Sequence, residues 1–159
     1  MSMTPRALEL RDLPAILALQ RACYRAELQE GAEAFHGKLA AFPAGCLGLE
    51  REGRLGGYVF CQPWRLGETL PLDHPGGVPA EPDCLYIHDL AVHPDWRGSG
   101  AAAALLARVE ALAASLSLDR LALVSVQDSE AFWARQGFRP VRRFAYAPGV
   151  PAVYMRRGR

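Results

Sequence analysis

The stretch that most constrains the fold is CLYIHDLAVHPDWRGSGAAAALLARVEALAA, residues 84–114. Its first part, 84–92, is strongly apolar and reads as a strand. A polar turn carrying Gly98 and Gly100 follows, and then an alanine-rich segment. In that segment Leu105, Val109, Leu112 and Leu116 recur at i, i+4, i+7 and i+11, one face of a helix. RLALVSV, 120–126, is a second continuous apolar run and reads as a buried strand. A chain that alternates strand, helix and strand in this way is α/β.

The flanking sequence supplies the remaining elements. Residues 5–10 read as a first strand. Asp12 offers an N-cap, Pro14 sits in the first turn, and Leu13, Ile16 and Leu17 begin a helical stripe expected to run to about Gly31. A second helix, about 32–41, must stop before Pro43. GCLGLE and LGGYVFC flank REGR as a hairpin. Residues 62–83 are dense in Pro and Gly; a loop this long in a compact domain is either a functional wall or lid, or floppy. DSEAFWARQ reads as a short helix ended by Gly137. Strands over about 138–146 and 150–156 close the chain through Pro148-Gly149.

The chain has 159 residues, half of them apolar and 22% charged. That length is enough for one domain, residues 1–159, burying roughly 70% of its unfolded-chain surface. A net charge of +1 gives no overall basic field to draw nucleic acid or an anionic membrane. Lys38 is the only lysine. Cys23, Cys46, Cys61 and Cys84 are scattered and read as reduced, small apolar residues. MSMTPRALELRDL lacks the apolar run of a signal peptide, and no span has membrane length. A cytoplasmic monomer or homodimer is expected.

Backbone N–H groups at a helix start are unpaired and, with the helix dipole, favour an anion. Gly98 and Gly100 let a ligand approach the main chain, small residues from Ala101 to Ala104 leave the first turn open, and Arg97 can add a charge-assisted contact. Gly98-x-Gly100-x-x-Ala103 also matches the dinucleotide fingerprint GxGxxA. Four residues, Pro94 to Arg97, separate the glycines from the strand, where that fingerprint needs a tight turn. No Lys-Ser/Thr follows, so a Walker loop fails too.

Arg97-x-x-Gly100-x-Ala102 resembles the Q/R-x-x-G-x-G/A acyl-CoA signature of the GNAT superfamily of N-acetyltransferases. IHDLAVHPDW before it is similar to that superfamily's fourth strand and loop, and SEAFWARQGF to its late helix and following strand. The likeness runs from the Asp12 helix to AVYMRR. YIHDLAVHPDWRGSG is most similar to the His-x-His-x-Leu-Ala-Val-His strand of the arylalkylamine (serotonin) N-acetyltransferase branch, with Tyr86 at the first histidine and His88 at the second.

The resemblance implies a mixed, twisted sheet flanked by helices and splayed between its fourth and fifth strands. Acetyl-CoA, the acyl donor, would lie in the opening. Its pyrophosphate would sit on the amides of Arg97, Gly98, Ser99, Gly100, Ala101, Ala102 and Ala103. Its pantetheine would run beside Leu90, Ala91 and Val92. The activity implied is acetyl transfer to the primary amine of a small molecule by direct attack in a ternary complex. Protein or peptide N-acetylation, or a non-catalytic acyl-CoA-binding module, are the alternatives.

Such transfer needs the amine deprotonated, the developing oxyanion stabilised and the thiolate released. A backbone N–H at Leu90 or Val92 can polarise the thioester. His88 is the candidate base or relay; on a regular strand it shares a face with Tyr86 and Leu90, and Asp89 points the other way. Trp133 stands where many relatives carry a tyrosine acid. Indole is not a usable acid, so either the thiolate leaves unprotonated or Tyr86, Tyr24 or water supplies the proton, and Trp133 can equally pack on the pantetheine. Trp64 and Phe35, with Asp89 as a second polar element, are candidates for the acceptor pocket. No His or Cys cluster has metal-ligand spacing.

Overall fold

The fold comes from a computed structural model, which describes residues 2–158; Met1 and Arg159 of the expected single unit lie outside the described residues. The strands are β1 (Thr4–Ala7), β2 (Cys46–Arg51), β3 (Arg54–Trp64), β4 (Cys84–Val92), β5 (Leu121–Ser125), β6 (Arg139–Ala147) and β7 (Val150–Arg157). The helices are α1 (Leu13–Cys23), α2 (Ala32–Ala41), α3 (Ala101–Ser115) and α4 (Glu130–Arg135). The strands form one mixed sheet in the order β1-β2-β3-β4-β5-β7-β6.

Every strand pair is antiparallel except β4 and β5, which run parallel and pair only over Leu85–Ile87 and Leu121–Leu123. Beyond those residues the two strands separate. The splay implied by the family resemblance is therefore present, and it leaves the Leu90–Val92 edge of β4 without a neighbouring strand.

Period-two alternation gives the sheet two apolar faces. On one, Leu85, Ile87, Leu121, Leu123 and Met155 pack against Leu105, Leu106 and Val109 of α3 and Trp133 of α4. On the other, Tyr58, Phe60 and Ala91 pack against Ile16 and Leu19 of α1 and Phe35 of α2. Leu105 and Val109 are fully buried, as the helical stripe predicts; Leu116 is 39% exposed because α3 ends at Ser115 and Leu116 caps it.

Two expectations are corrected. The first helix stops at Cys23, not near Gly31. Tyr24 turns the chain extended (ψ 141°), and the buried Gln20 side chain then holds Glu30 instead, donating to its carbonyl (2.9 Å) and accepting from its N–H (2.7 Å). A continued helix would carry Glu30 away from that side chain. Asp12 makes no side-chain cap for α1; its carboxylate accepts from Glu9 N–H and pairs with Arg6.

The loop expected at 62–83 begins later, because β3 extends through Gln62, Pro63 and Trp64 to pair with Cys84–Tyr86. The remaining connection is tied down rather than floppy. Leu70 is fully buried with Tyr86 and Tyr154, and its N–H donates to the Tyr86 hydroxyl while its carbonyl accepts from Tyr146. Among the described residues no helix is long and apolar enough to cross a membrane, and Cys23, Cys46, Cys61 and Cys84 are free.

Candidate active site

A bulge in β4 decides the geometry. Phe60 pairs with Asp89 and Cys61 with Ile87, so His88 is the extra residue between them. Side chains change parity across such an insertion. Leu85 and Ile87 face α3; beyond the bulge Leu90 and Val92 take that face, and Asp89 and Ala91 turn to the α1–α2 side. Asp89 reaches Tyr58 there, which donates its hydroxyl at 2.9 Å. The regular-strand expectation that His88 shares its face with Leu90, opposite Asp89, is thereby overturned. His88 stacks near Tyr86, with ring centroids 6.3 Å apart, and lies beside Asp89.

The splay opens into a cleft of about 640 Å³. At one end are Arg97, Gly98, Gly100 and Ala101–Ala103; Leu90, Ala91 and Val92 form the β4 wall; Phe132 and Trp133 come from α4. His88, Asp89, Glu30, Leu72 and Tyr146 stand at the far end. Of the sequence candidates, Ser99 is not on the lining: its hydroxyl turns back to donate to Trp96 O. Three others also lie elsewhere. Phe35 is fully buried against Tyr58 and Phe60, Trp64 packs over the cluster beneath the 65–83 loop, and Tyr86 is 1% exposed with its hydroxyl on Leu70 N.

The glycine turn presents an open main chain at the start of α3. Gly98 (φ +78°) and Gly100 (φ +88°) adopt left-handed backbone, and a Cβ added at either meets nothing within 4 Å. Backbone conformation, not packing, therefore calls for glycine here, and the space in front of the main chain is open. Gly100 caps α3 with no side-chain bond, and the first helical N–H to find a carbonyl is Ala104, on Gly100 O. The amides of Ala101, Ala102 and Ala103 are thus left at a positive helix end. These residues fit a pyrophosphate.

On β4 the period-two rule fixes the direction of the main chain. His93 donates to Gly56 of β3, so Ala91 also faces β3 and Leu90 and Val92 face the opening. Their carbonyls are already occupied: the Tyr24 hydroxyl donates to Leu90 O at 3.0 Å and the Cys23 thiol to Val92 O at 3.2 Å. What the edge offers a ligand is N–H donors.

The acid–base groups cluster just beyond. Asp89 is 8% exposed, and among the described residues its Oδ1 has no hydrogen-bond partner. Burial raises its pKa to about 6; nearby Glu30 adds to this, and His88 and the Tyr58 and Tyr24 hydroxyls oppose it. Burial beside Asp89 holds Tyr24 well above the ordinary tyrosine range, so it serves as a donor and not as an acid. His88 places Nε2 2.9 Å from Glu30 Oε1, and its Nδ1 has no partner among the described residues. Burial pushes the Glu30 carboxyl up, but His88, Lys38 and Asp73 N–H outweigh it and leave it below its usual range. No group of three or more His, Cys, Asp or Glu among the described residues could hold a metal ion.

Glu30, Tyr58 and Leu72 were not legible as site residues. Nothing in QEGAE or in the Pro/Gly-rich loop marks a position that only folding brings to β4.

A cleft that offers an open helix start, the outward backbone of β4 and a buried carboxylate beyond them is suited to an extended acyl thioester bearing a pyrophosphate. Residues 13–138 match the model of the acetyltransferase (GNAT) family. The chain belongs to that family, the acyl-CoA-dependent N-acyltransferases, and the match is to the family rather than to its arylalkylamine branch. No curated protein matches the chain. Among solved structures, the loading GNATL domain of CurA from Lyngbya majuscula superposes with a TM-score of 0.84 at 16% identity, covering 99% of this chain and 98% of that one. The GphF GNAT-like decarboxylase, in complex with isobutyryl-CoA, gives 0.83 at 20% identity over 98% of each chain. The ribosomal-protein-S18-alanine N-acetyltransferase from Escherichia coli gives 0.73 at 17% identity over 99% and 94%.

Proposed function

We propose that this enzyme transfers an acetyl group from acetyl-CoA to the primary amine of a small molecule with an apolar body, with Asp89 taking the ammonium proton. The observation that supports the reading is the β4 bulge, which sets Asp89 beside His88 on the cleft lining with its buried Oδ1 unpartnered among the described residues. Acetyl-CoA would be held by Arg97, Gly98 and the Gly100–Ala103 amides, with Leu90, Ala91 and Val92 beside the pantetheine and Trp133 packed along it. It supplies the activated acyl group and a thiolate leaving group.

The chain's residues then handle charge and protons. A primary ammonium titrates near 10, and a carboxylate poised near neutral pH accepts its proton. The freed nitrogen forms the C–N bond as the C–S bond breaks, and the Leu90 N–H faces the oxygen on which negative charge builds. The second nitrogen proton balances the departing thiolate, so Trp133 needs no acid function. Tyr146, Leu28 and Leu72 give the far end an apolar lining, suited to a hydrocarbon or aromatic amine.

The test is thiol release from acetyl-CoA with a panel of alkyl- and arylalkylamines set against peptides bearing free N-termini or lysines. Turnover of the amines alone supports the reading. Efficient turnover of peptides alone replaces it with protein N-acetylation.

A further inference from the structure

We propose that Leu72, in the connection between β3 and β4, is the acceptor-specificity determinant: a fixed stop that sets how long an amine the far end of the cleft accepts. This deepens the proposed amine transfer and rests on it. Leu72 lines the cleft, and the residue after it bonds Glu30, which in turn bonds His88, so Leu72 stands at the end of the cleft where those residues lie. An acceptor nitrogen at Asp89 therefore directs its body toward Leu72.

A loop residue can measure length only if it does not yield, and the segment around Leu72 is clamped from both sides. Two residues before it, Leu70 is fully buried and bonds Tyr86 and Tyr146 through its N–H and carbonyl. One residue after it, Asp73 donates its N–H to Glu30 Oε2 at 2.7 Å and accepts Gly31 N–H on Oδ1 at 2.8 Å. The next carbonyl, His74 O, takes the ammonium of Lys38 at 2.6 Å. Lys38 itself lies 3.4 Å from Glu30, with both side chains almost fully buried. Pro75 seats against Gly37 of α2, where an added Cβ would fall 2.6 Å from it.

A buried Lys–Glu pair contributes little net stability, because desolvation offsets the attraction. Its geometry here joins α2, β4 and the loop at one carboxylate: Glu30 bonds His88, Lys38 and Asp73 together. The chain's only lysine is thus spent on holding the acceptor wall against the base-bearing strand. The Leu72 side chain is only half-buried, so truncating it opens the end of the cleft without removing a core residue.

The experiment uses the full chain, acetyl-CoA and a homologous series of straight-chain primary amines from ethylamine to octylamine. Leu72→Ala is expected to move the optimum to longer amines, with kcat/KM for the longest rising about tenfold or more relative to the shortest, the discrimination that a few methylenes supply. Leu72→Phe is expected to move it the other way, and KM for acetyl-CoA stays unchanged in both. An unaltered length profile in both variants overturns the proposal while leaving amine transfer standing. Hydrogen exchange on the unliganded wild type gives a readout independent of turnover. Slow exchange at the Asp73 and Gly31 amides, lost in Lys38→Met, supports the clamp; fast exchange there overturns it even if no amine is ever turned over.

Discussion

On the proposed reading Asp89 takes the ammonium proton, and its burial also makes stability depend on pH. Its folded pKa is about 6, against about 3.9 in an unfolded chain. Between those values the native carboxyl keeps a proton that the unfolded one has lost. Its stabilising contribution is therefore full below about pH 4 and is lost as pH rises through 6, a change of about 2–3 kcal/mol at 1.36 kcal/mol per unit. Asp89→Asn is expected to raise the melting temperature at pH 8 relative to pH 5, read by thermal unfolding at the two pH values. The same variant should cost about 100-fold or more in kcat and abolish the acid limb of the rate profile. His88→Ala should leave that limb in place but move it to higher pH, because the neighbouring His88 pulls the Asp89 pKa down. A limb that disappears with His88 and survives in Asp89→Asn would transfer the base to His88.

At the scale of elements, a glycine facing open space and a glycine packed under a ring can be tested separately. Gly100→Val places a β-branched residue at φ +88°, a strain of about 1–3 kcal/mol, with no protein neighbour to clash. The fold should survive and CoA binding, followed by calorimetry, should be lost. Gly56→Ala is the contrast: its Cβ would fall 2.1 Å from the Trp96 ring. That overpacking should destabilise by about 1–3 kcal/mol, and a variant as stable as wild type would show that Trp96 moves freely. The element boundaries show what the sequence displayed. α3, β4 and β5 were legible because they carry unbroken periodicity or apolar runs. The end of α1 was not, since YRAELQEG continues a plausible helix and only the pull of Gln20 on Glu30 and of Cys23 and Tyr24 on β4 ends it.

For the whole molecule, the sheet has its shortest pairing at the splay. β4 and β5 share only three register pairs, so a ligand lying in the splay joins two halves that the backbone leaves apart. CoA at about 100 times its Kd should stabilise the protein by about 2.7 kcal/mol, raising the melting temperature by about 5–10 °C at 2–4 °C per kcal/mol. NAD should not, since the strand-to-glycine spacing fits no dinucleotide. No shift with CoA would remove the assigned cradle.

The amino-acid sequence by itself determined the α/β order, the buried strands, and a glycine turn feeding an open helix start. These are local properties, set by periodicity and backbone freedom within a few residues. Tertiary structure decided the acceptor side. One inserted residue in β4, invisible in CLYIHDLAV because pairing register is a property of two strands, turned Asp89 toward Tyr58 and Leu90 away from His88. Glu30 and Leu72 became cleft residues only because a buried lysine and two tyrosines hold distant segments against that strand. Hydrogen bonds between residues decades apart in the chain leave no period to read.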